Sequence, residues 1–274
     1  IKQMPLLIES VLESGTTQAF DTFFSKPIDE VLNELVQDTT TLEFGFFSAF
    51  RLNSSAITNG IYLPKYYDPA VENILRKLDG TCTRYSIQSL LNDKVIELAT
   101  GDEIGKMAYG TGSIPFVRTS DFSNWEIKAD AKQGVSEEIY EQYALKEDVR
   151  PGDILIVRDG TYLVGTSCLI TEYDQKMLYC GGLIKIRVLK KDILDEYLLL
   201  GLLNSYIVKR QIRTKQFTRD VIDTLGQRLR EVTLPLPHSV ELRHAISVQI
   251  RHIIENRIEA RDCVSNLSRQ LIEL

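Results

Sequence analysis

The sequence lacks the long apolar run that a membrane-spanning helix requires. Its longest apolar stretch, near residues 197–203, is far shorter than the ~20 residues that cross a bilayer. No positively charged and then apolar leader opens the chain, so no secretory signal is recognised. Because the first residue is Ile1 rather than Met, we expect further residues to precede it. The sequence therefore predicts a protein that does not act in a membrane.

Cysteine and histidine are also scarce. The four cysteines include neither a C-x-x-C pair, which would predict zinc, nor the density of a disulfide framework. The three histidines, His238, His244 and His252, have no acid or cysteine at ligand spacing. We therefore expect no metal and no cofactor, and we predict a location in the reducing cytoplasm.

Motifs of common catalytic sites are missing. "GDEIGK" lacks the spacing and the following Ser or Thr of a phosphate-binding loop, and "AYGTGSIP" contains only half of a dinucleotide-binding glycine pattern. The Asn/Asp-Pro-Pro-aromatic motif of adenine methyltransferases is absent. Asp121, Glu126 and Lys128 resemble a nuclease metal site, but too few residues separate the two acids for two strands to bring them together. We therefore predict that the chain is not an enzyme.

An overall excess of positive charge is absent, since the net charge is −6. That value alone argues against a nucleic-acid partner. Residues 1–50, however, contain two lysines against eight Asp and Glu, which accounts for the whole negative excess. Within the neutral remainder, residues 205–230 contain seven Lys and Arg against two Asp. A locally basic segment is therefore available for a phosphate-bearing partner.

The pattern of apolar residues and turns predicts three regions and an α+β fold. Residues 1–82 are predicted to form a helical N-terminal region and a connector, with a strand in "LEFGFFSAFRLN" and a short helix over 70–78. Residues 83–237 alternate β-rich runs with Gly, Pro, Asn and Asp, which predicts a mainly antiparallel β domain with one helix over 136–145. An apolar helical run over 192–213 should pack against this domain, and residues 238–274 are predicted to form a long helix.

The C-terminal helix has apolar residues at heptad spacing, interrupted by Arg257. At ~1.5 Å per residue it would be about 50 Å long. One small β domain is too short to cover such a helix, so we predict a partner helix, which a second copy of the chain could supply. The predicted helix-pairing residues are Ile246, Ile250, Ile253, Ala260, Val264, Leu267 and Leu271.

The stretch "VRPGDILIVRDGT", residues 149–161, predicts a buried strand between two turns. Gly152 follows a proline and indicates the first turn, and Ile154–Val157 is apolar and mostly β-branched, as in a short buried strand. Asp159 and Gly160 indicate the second turn. Arg158, at the end of the strand, has two interpretations: a contact to DNA or a surface ion pair.

Four motifs occur in a defined order: "SIPFVRTSDFSNWEI", "VSEEIY", "VRPGDILIVRDGTYLVG" and "VTLPLP". In this order, from about residue 84 to the C-terminus, the sequence resembles a target recognition domain of the specificity subunit of type I restriction-modification enzymes. The resemblance implies a non-catalytic subunit that recognises double-stranded DNA and positions an adenine methyltransferase and a restriction partner. It also implies that the long helix packs against a second one.

The chain departs from that family in its number of domains. A full specificity subunit has two recognition domains and two helices, whereas this sequence contains one of each and no internal repeat. It is therefore either a half-subunit that dimerises or the C-terminal part of a larger polypeptide. "RLNSSAITNGIYLPKYYDP" resembles the junction in fused methyltransferase-specificity proteins, which favours the second alternative.

The candidate DNA-binding residues are polar or basic side chains that we expect near loops. The segment 213–220 is predicted to be a loop just after a helix. Each group has a structural alternative: a capped turn with solvated lysines for residues 118–132, and a basic helix end for residues 213–219. A protein-interaction or dimerisation module is the alternative function. The candidates are Arg118, Thr119, Ser120, Asp121, Lys128, Lys132, Arg158, Arg213, Lys215, Gln216 and Arg219.

Overall fold

The computed structural model describes residues 41–44, 47–123, 125–128, 132–160, 162–174, 176–219 and 222–272. The chain divides into two compact units, residues 1–70 and 71–274. The predicted α+β class is confirmed. Residues 1–40, which contain the helices predicted for the N-terminal region, lie outside the described residues. Within the described ranges no helix is long and apolar enough to cross a membrane.

The first unit contains a short β-hairpin. Strand β1 (Thr41–Phe44) pairs antiparallel with β2 (Phe47–Phe50), where the sequence predicted one continuous strand. Two 3-10 helices follow, at Ser54–Ala56 and Pro64–Tyr67. The proline at the start of the second helix suits that position, because a helix leaves its first N–H groups without intrahelical acceptors.

From Pro69 onward the chain alternates helices with short strands. The helices predicted over 70–78 and 136–145 are confirmed within a few residues, as α1 and α3. The helices are α1 (Pro69–Leu78), α2 (Ile87–Asn92), α3 (Glu137–Glu147), α4 (Glu196–Asn204), α5 (Tyr206–Lys215) and α6 (Val240–Ile272). The strands are β3 (Cys82–Ser86), β4 (Ile96–Thr100), β5 (Ile114–Val117), β6 (Phe122–Ser123), β7 (Glu126–Ile127), β8 (Gly134–Val135), β9 (Ile154–Val157), β10 (Asp159–Gly160), β11 (Ser167–Leu169), β12 (Leu178–Tyr179), β13 (Leu183–Val188), β14 (Phe217–Arg219), β15 (Ile222–Thr224) and β16 (Thr233–Pro237).

A four-stranded antiparallel sheet, in the order β11-β9-β13-β4, organises the described part of the second unit. Ile154 and Ile156 of β9 enter one hydrophobic core, whereas Leu155 and Val157 enter another. Successive strand side chains point to opposite faces, so both faces of this sheet are covered. Burial on both faces explains why β9 is apolar throughout, and it confirms the predicted buried strand.

Helices cover one face of the central sheet, and short strands cover the other. Apolar side chains of α2, α4, α5 and α6 share a core with Ile154 and Ile156. On the opposite face, β5, β8 and β12 pack together with α3. The pairing of β12 with β5 is parallel, and the mainly antiparallel character predicted for this region is otherwise confirmed. The packing predicted for the apolar run over 192–213 is also confirmed.

Ser205 divides that apolar run into α4 and α5. Its φ of −64° and ψ of 151° are extended, which ends α4. Its hydroxyl donates to the Leu202 carbonyl at 2.7 Å and accepts from the Val208 N–H at 3.4 Å. One serine thus satisfies backbone groups of both helices, and the chain changes direction between them.

The first and last strands of the predicted β domain are neighbours. Strand β3 pairs antiparallel with β16 over five positions, from Thr233 opposite Ser86 to Pro237 opposite Cys82. The two ends of the predicted domain 83–237 therefore lie side by side. This pairing supports the predicted boundaries, which remain a prediction.

Helix α6 covers the helical core with one face of its residues 246–258. Ile246, Ile250, Ile254 and Ile258 pack against that core. Gly201 of α4 permits the close approach, because a Cβ at that position would lie 3.3 Å from Cγ1 of Ile250. Two of the predicted helix-pairing residues, Ile246 and Ile250, are thus in contact with a helix of their own chain.

The same seam continues towards the C-terminal end of α6 as an apolar stripe that the described residues leave largely uncovered. Ile253, Val264 and Leu267 are 39%, 64% and 54% exposed, and Ala260 is also exposed. We call these four residues the outer stripe. The side chain of Leu271 lies outside the description. The predicted seam is therefore divided, and the outer stripe is the part that remains available to another helix.

Candidate nucleic-acid interface

The candidate residues that follow β5 form a tight capped turn. Residues 119–121 are a 3-10 helix, and the buried carboxylate of Asp121 accepts the Arg118 N–H at 2.9 Å. Lys128 donates through Nζ to the Ser120 carbonyl at 2.7 Å. Asp121 therefore stabilises a capped turn, which was the structural alternative for residues 118–132. The side chains of Arg118 and Lys128 are exposed, so both can reach an external partner.

Arg158 lies at the end of β9 and forms an ion pair with its neighbour. Its Nη2 is 2.6 Å from the carboxylate of Asp159, which also accepts a hydrogen bond from the Thr224 hydroxyl. The second turn predicted at Asp159 and Gly160 is wrong, because these residues form β10 and pair with β15. The chain instead turns nearby at Gly165, whose φ is +84°, a value that favours glycine.

Three separate stretches of sequence meet at this end of β9. The Gly182 carbonyl accepts the backbone N–H of both Arg158 and Asp159, at 2.9 and 3.2 Å. A Cβ at Gly182 would lie 2.9 Å from the Thr119 methyl group, so the capped turn packs directly against Gly182. Strand β15 joins from the other side through its pairing with β10. Candidates far apart in sequence are thereby brought to one end of the sheet.

The loop predicted over 213–220 is wrong for residues 213–219, the part of it that the structure describes. Arg213 and Lys215 belong to the last turn of α5, and Gln216 ends that helix before β14 pairs with β15. Arg228 stabilises the junction between α5 and β14. Its guanidinium lies 3.9 Å from the centre of the Phe217 ring and donates to the Lys215 carbonyl. Lys215 itself is 3.1 Å from Glu231, which supports the alternative of a structural role.

The remaining candidates have different surroundings. Lys132 is exposed, and the adjacent Gln133 carbonyl accepts the Phe116 N–H at 2.9 Å, near the capped turn. Strand β14 includes Arg219, whose side chain lies outside the description. Glu126 is 3.3 Å from Arg257 of α6, whereas the buried Asp121 carboxylate accepts the Arg118 N–H. Among the described residues, no group of three or more His, Cys, Asp or Glu side chains is placed to hold a metal ion.

A polar cleft of about 190 Å³ lies between α5 and the turn over residues 162–166. The turn lies close to the helix because residue 165 is glycine: a Cβ there would be 2.6 Å from Cγ2 of Ile212. Gln216 donates to the Val164 carbonyl at 3.3 Å and so joins the two walls. We call this feature the α5 cleft. Its polar lining includes Tyr162, Lys209, Arg213 and Gln216.

Sequence analysis did not identify Tyr162 or Lys209. Tyr162 is 95% exposed, at the tip of the turn, and Lys209 is exposed on α5. Lys209 lies four residues before Arg213, a spacing that places both side chains on one face of a helix. That spacing was visible in the sequence once this stretch was assigned as a helix. The position of Tyr162 depends on the contact between Gly165 and Ile212, which no local pattern reveals.

A different set of charges is enclosed behind the central sheet. Arg187 donates through Nε to Asp153 and through Nη1 to Asp148, each at 2.7 Å. Asp153 also accepts the Arg150 N–H at 2.8 Å. Hydrogen bonds from Arg187 and Arg150 lower the pKa of Asp148 to about 2. These bonds fix the end of α3 against β13.

Glu147 and Lys185 complete this enclosed set. The Glu147 carboxylate accepts the backbone N–H of Tyr179 at 2.9 Å and of Asp102 at 3.3 Å. Burial raises its pKa to about 7, despite these bonds. Lys185 donates to the carbonyl of Asp148 at 2.8 Å, and burial lowers its pKa. We call Glu147, Asp153, Lys185 and Arg187 the buried charge network, which the partly exposed Asp148 joins to the surface.

Comparison with solved structures finds specificity subunits of type I restriction-modification systems. The S subunit from M. genitalium matches over 69% of this chain and 42% of its own, with a TM-score of 0.47 and 15% identity. The HsdS subunit from Thermoanaerobacter tengcongensis matches over 71% and 46%, with a TM-score of 0.41 and 16% identity. The chain is thus similar to S subunits over about 70% of its length.

A third structure concerns complex assembly and conformational transition of the type I R-M system. It matches over 75% of this chain and 48% of its own, with a TM-score of 0.43 and 16% identity. The chain spans less than half the length of each of these three proteins. No model of a known protein family matches the sequence, and no curated protein matches it.

Proposed function

We propose that the chain is a sequence-specific recognition module for double-stranded DNA in a restriction-modification system. In this role it carries no catalytic residue and positions an adenine methyltransferase and a restriction partner on the target site, in the cytoplasm. The observation that supports this proposal is the convergence of the capped turn, Arg158 and β15 at one end of the central sheet. The order of the sequence motifs is independent support.

The proposed interface combines two kinds of contact. Arg118, Thr119 and Ser120 have side chains that can donate or accept at base edges. Lys128 and Lys132 are exposed and cationic, which suits contacts with phosphate oxygens. Base contacts specify a sequence, whereas phosphate contacts position the domain on the duplex. The proposal therefore assigns sequence reading to the capped turn and places phosphate binding around it.

Selection from a randomised duplex library tests this proposal. We expect the 274-residue chain to enrich a short asymmetric motif at two salt concentrations. Arg118→Ala should relax that motif at one or two base pairs and cost about 1–3 kcal/mol of binding free energy. Lys77→Ala, at an exposed position on α1, is the matched control and should leave the motif unchanged. Binding that disappears with salt and enriches no motif would contradict a recognition function.

The outer stripe favours a second role as a dimerisation or protein-interaction module. An apolar row on a 33-residue helix fits the seam of a second helix, either from another copy or from a methyltransferase subunit or domain. Val264→Asp should disrupt such a pair, because it places a charge in an apolar seam. Glu259→Asp, at another exposed position on α6, is the control. Sedimentation that shows a monomer for both the original chain and the Val264 variant would exclude a homodimer through this face.

A further inference from the structure

The α5 cleft contains two cations for which the described residues supply no ion-pair partner. Lys209 and Arg213 line it, and no carboxylate is among its lining residues. Their spacing of four residues places the two charges about one helical turn apart, where like charges destabilise a helix. A bound anion between them would convert this repulsion into attraction.

Helix stability alone does not explain this pair. A cation in the last turn of a helix is favourable, so Arg213 has an intrahelical explanation. Lys209 lies in the first half of α5, which spans Tyr206–Lys215, and there the helix dipole disfavours a positive charge. Helix stability therefore gives no reason for a cation at this position, and the exposed ammonium of Lys209 is available to a ligand.

The size and the donors of the cleft indicate which ligand fits. Its volume of about 190 Å³ is below the ~300–1,000 Å³ typical of pockets for small organic molecules. The ammonium of Lys209, the guanidinium of Arg213 and the phenol of Tyr162 are all hydrogen-bond donors. A compact group with several acceptor oxygens and negative charge matches them, and phosphate has both properties.

We infer that the α5 cleft holds one phosphate group of the DNA backbone, beside the bases that the capped turn contacts. This inference rests on the proposed function. The cleft lies beside the sheet formed by β10, β15 and β14, because the turn over 162–166 follows β10 and α5 leads into β14. A phosphate in the cleft would fix the position of the domain on the duplex without reading sequence.

The test is the Lys209→Gln/Arg213→Gln double variant of the 274-residue chain, with Lys77→Gln as a control on α1. Binding is measured over a range of salt concentrations on the selected duplex and on duplexes with single mismatches. Loss of one phosphate contact should reduce the slope of log K against log salt by about 0.9. The double variant should also bind all duplexes about 10-fold more weakly and keep the same preferred motif, as expected for a backbone contact.

Duplexes in which one phosphate is replaced by an uncharged methylphosphonate show which phosphate the α5 cleft binds. Each phosphate of the selected duplex is replaced in turn, and binding is measured with the original chain and with the double variant. One linkage should weaken binding to the original chain by about the same factor as the double variant does. That linkage should have no further effect on the double variant, because each change removes one side of the same contact.

Three results would contradict the inference. If the double variant matches Lys77→Gln in affinity, salt slope and sensitivity to every linkage, the cleft holds no phosphate, although the recognition function stands. If the double variant prefers a different motif instead of weakening all duplexes equally, the cleft reads bases. If the original chain binds no duplex at all, both the proposed function and the cleft assignment are wrong.

Discussion

The buried charge network and the α5 cleft use similar side chains in opposite ways. In the network, Arg187 is bonded to two aspartates, and Lys185 donates to backbone carbonyls. In the cleft, Lys209 and Arg213 have no carboxylate beside them within the described residues. Removing a charge from water is costly, so an enclosed charge needs partners in the fold itself. An exposed cation has no such requirement and remains available to a ligand.

This difference shows how the basic residues of the chain can be interpreted. Net charge alone would assign them no common role, since the total is −6. Their partners separate them: Arg187 and Arg228 stabilise the fold, whereas Lys209 and Arg213 line a surface cleft. Changes in the two groups should therefore affect different measurements, namely stability for the first and DNA binding for the second.

The largest effect on stability is expected for Asp153→Ala. This change leaves Arg187 and Lys185 enclosed without their main carboxylate, which typically costs 3–5 kcal/mol. Asp79→Ala is a matched control, because Asp79 accepts two hydrogen bonds from Arg84 in the same geometry but at the surface. The control should cost about 1 kcal/mol or less. Denaturant unfolding measures both, and equal losses would remove the distinction between buried and exposed pairs.

Glu147 should make stability depend on pH. Its pKa rises from 4.5 to about 7 on folding, so the folded chain binds this proton more tightly than the unfolded chain. The resulting stabilisation is fully present below pH 4.5 and is lost as the pH rises through about 7. The Glu147→Gln side chain stays neutral at all pH values. Relative to this variant, the free energy of unfolding of the original chain should fall by on the order of 3 kcal/mol between these two pH values. Unfolding curves that differ by a constant amount at all pH values would contradict this expectation.

Gly165→Ala should cost about 1–3 kcal/mol and narrow the α5 cleft. Residue 165 has a φ of +84°, and a Cβ there would be 2.6 Å from the Ile212 side chain. Gly105→Ala is the matched control, because its φ is +77° but no atom lies within 4 Å of the added Cβ. The control therefore includes the backbone strain without the steric overlap. Thermal unfolding and DNA binding should both separate the two variants.

The smallest effect on stability is expected for Arg158→Ala. The Arg158 and Asp159 side chains are 28% and 26% exposed, so water screens part of their attraction. The change should cost about 1 kcal/mol or less in unfolding experiments. If DNA binding falls while stability is kept, Arg158 belongs functionally with the α5 cleft. If stability falls by as much as in Asp153→Ala, it belongs with the buried charge network.

Local patterns predicted those parts of the fold that depend on nearby residues. The apolar run of β9, the proline that begins α1 and the serine that caps α3 each specify a short element. The conformation over 213–219 was predicted incorrectly, because β14 is stabilised by β15 and by the stacking of Arg228 on Phe217. The spacing of basic residues in this segment did not contain that information.

For the candidate site as well, the sequence indicated only features that depend on single residues or on nearby residues. Arg118 and Arg213 were proposed as candidates because charge and position along the chain are visible in the sequence. The cleft that Arg213 lines was not, since it forms where Gly165 meets Ile212 across 47 residues. The buried carboxylate of Asp121 resembled a surface contact until the turn around it was known.

The pairing of β3 with β16 has a consequence for how such a unit is exchanged between proteins. Because its entry and exit points are adjacent, the segment between them can be replaced as one block without stretching the flanking chain. A new block would bring its own capped turn and cleft, together with the surface of α4 against which α6 packs. Recombination at these two strands would therefore exchange the proposed recognition surface and leave the outer stripe of α6 unchanged.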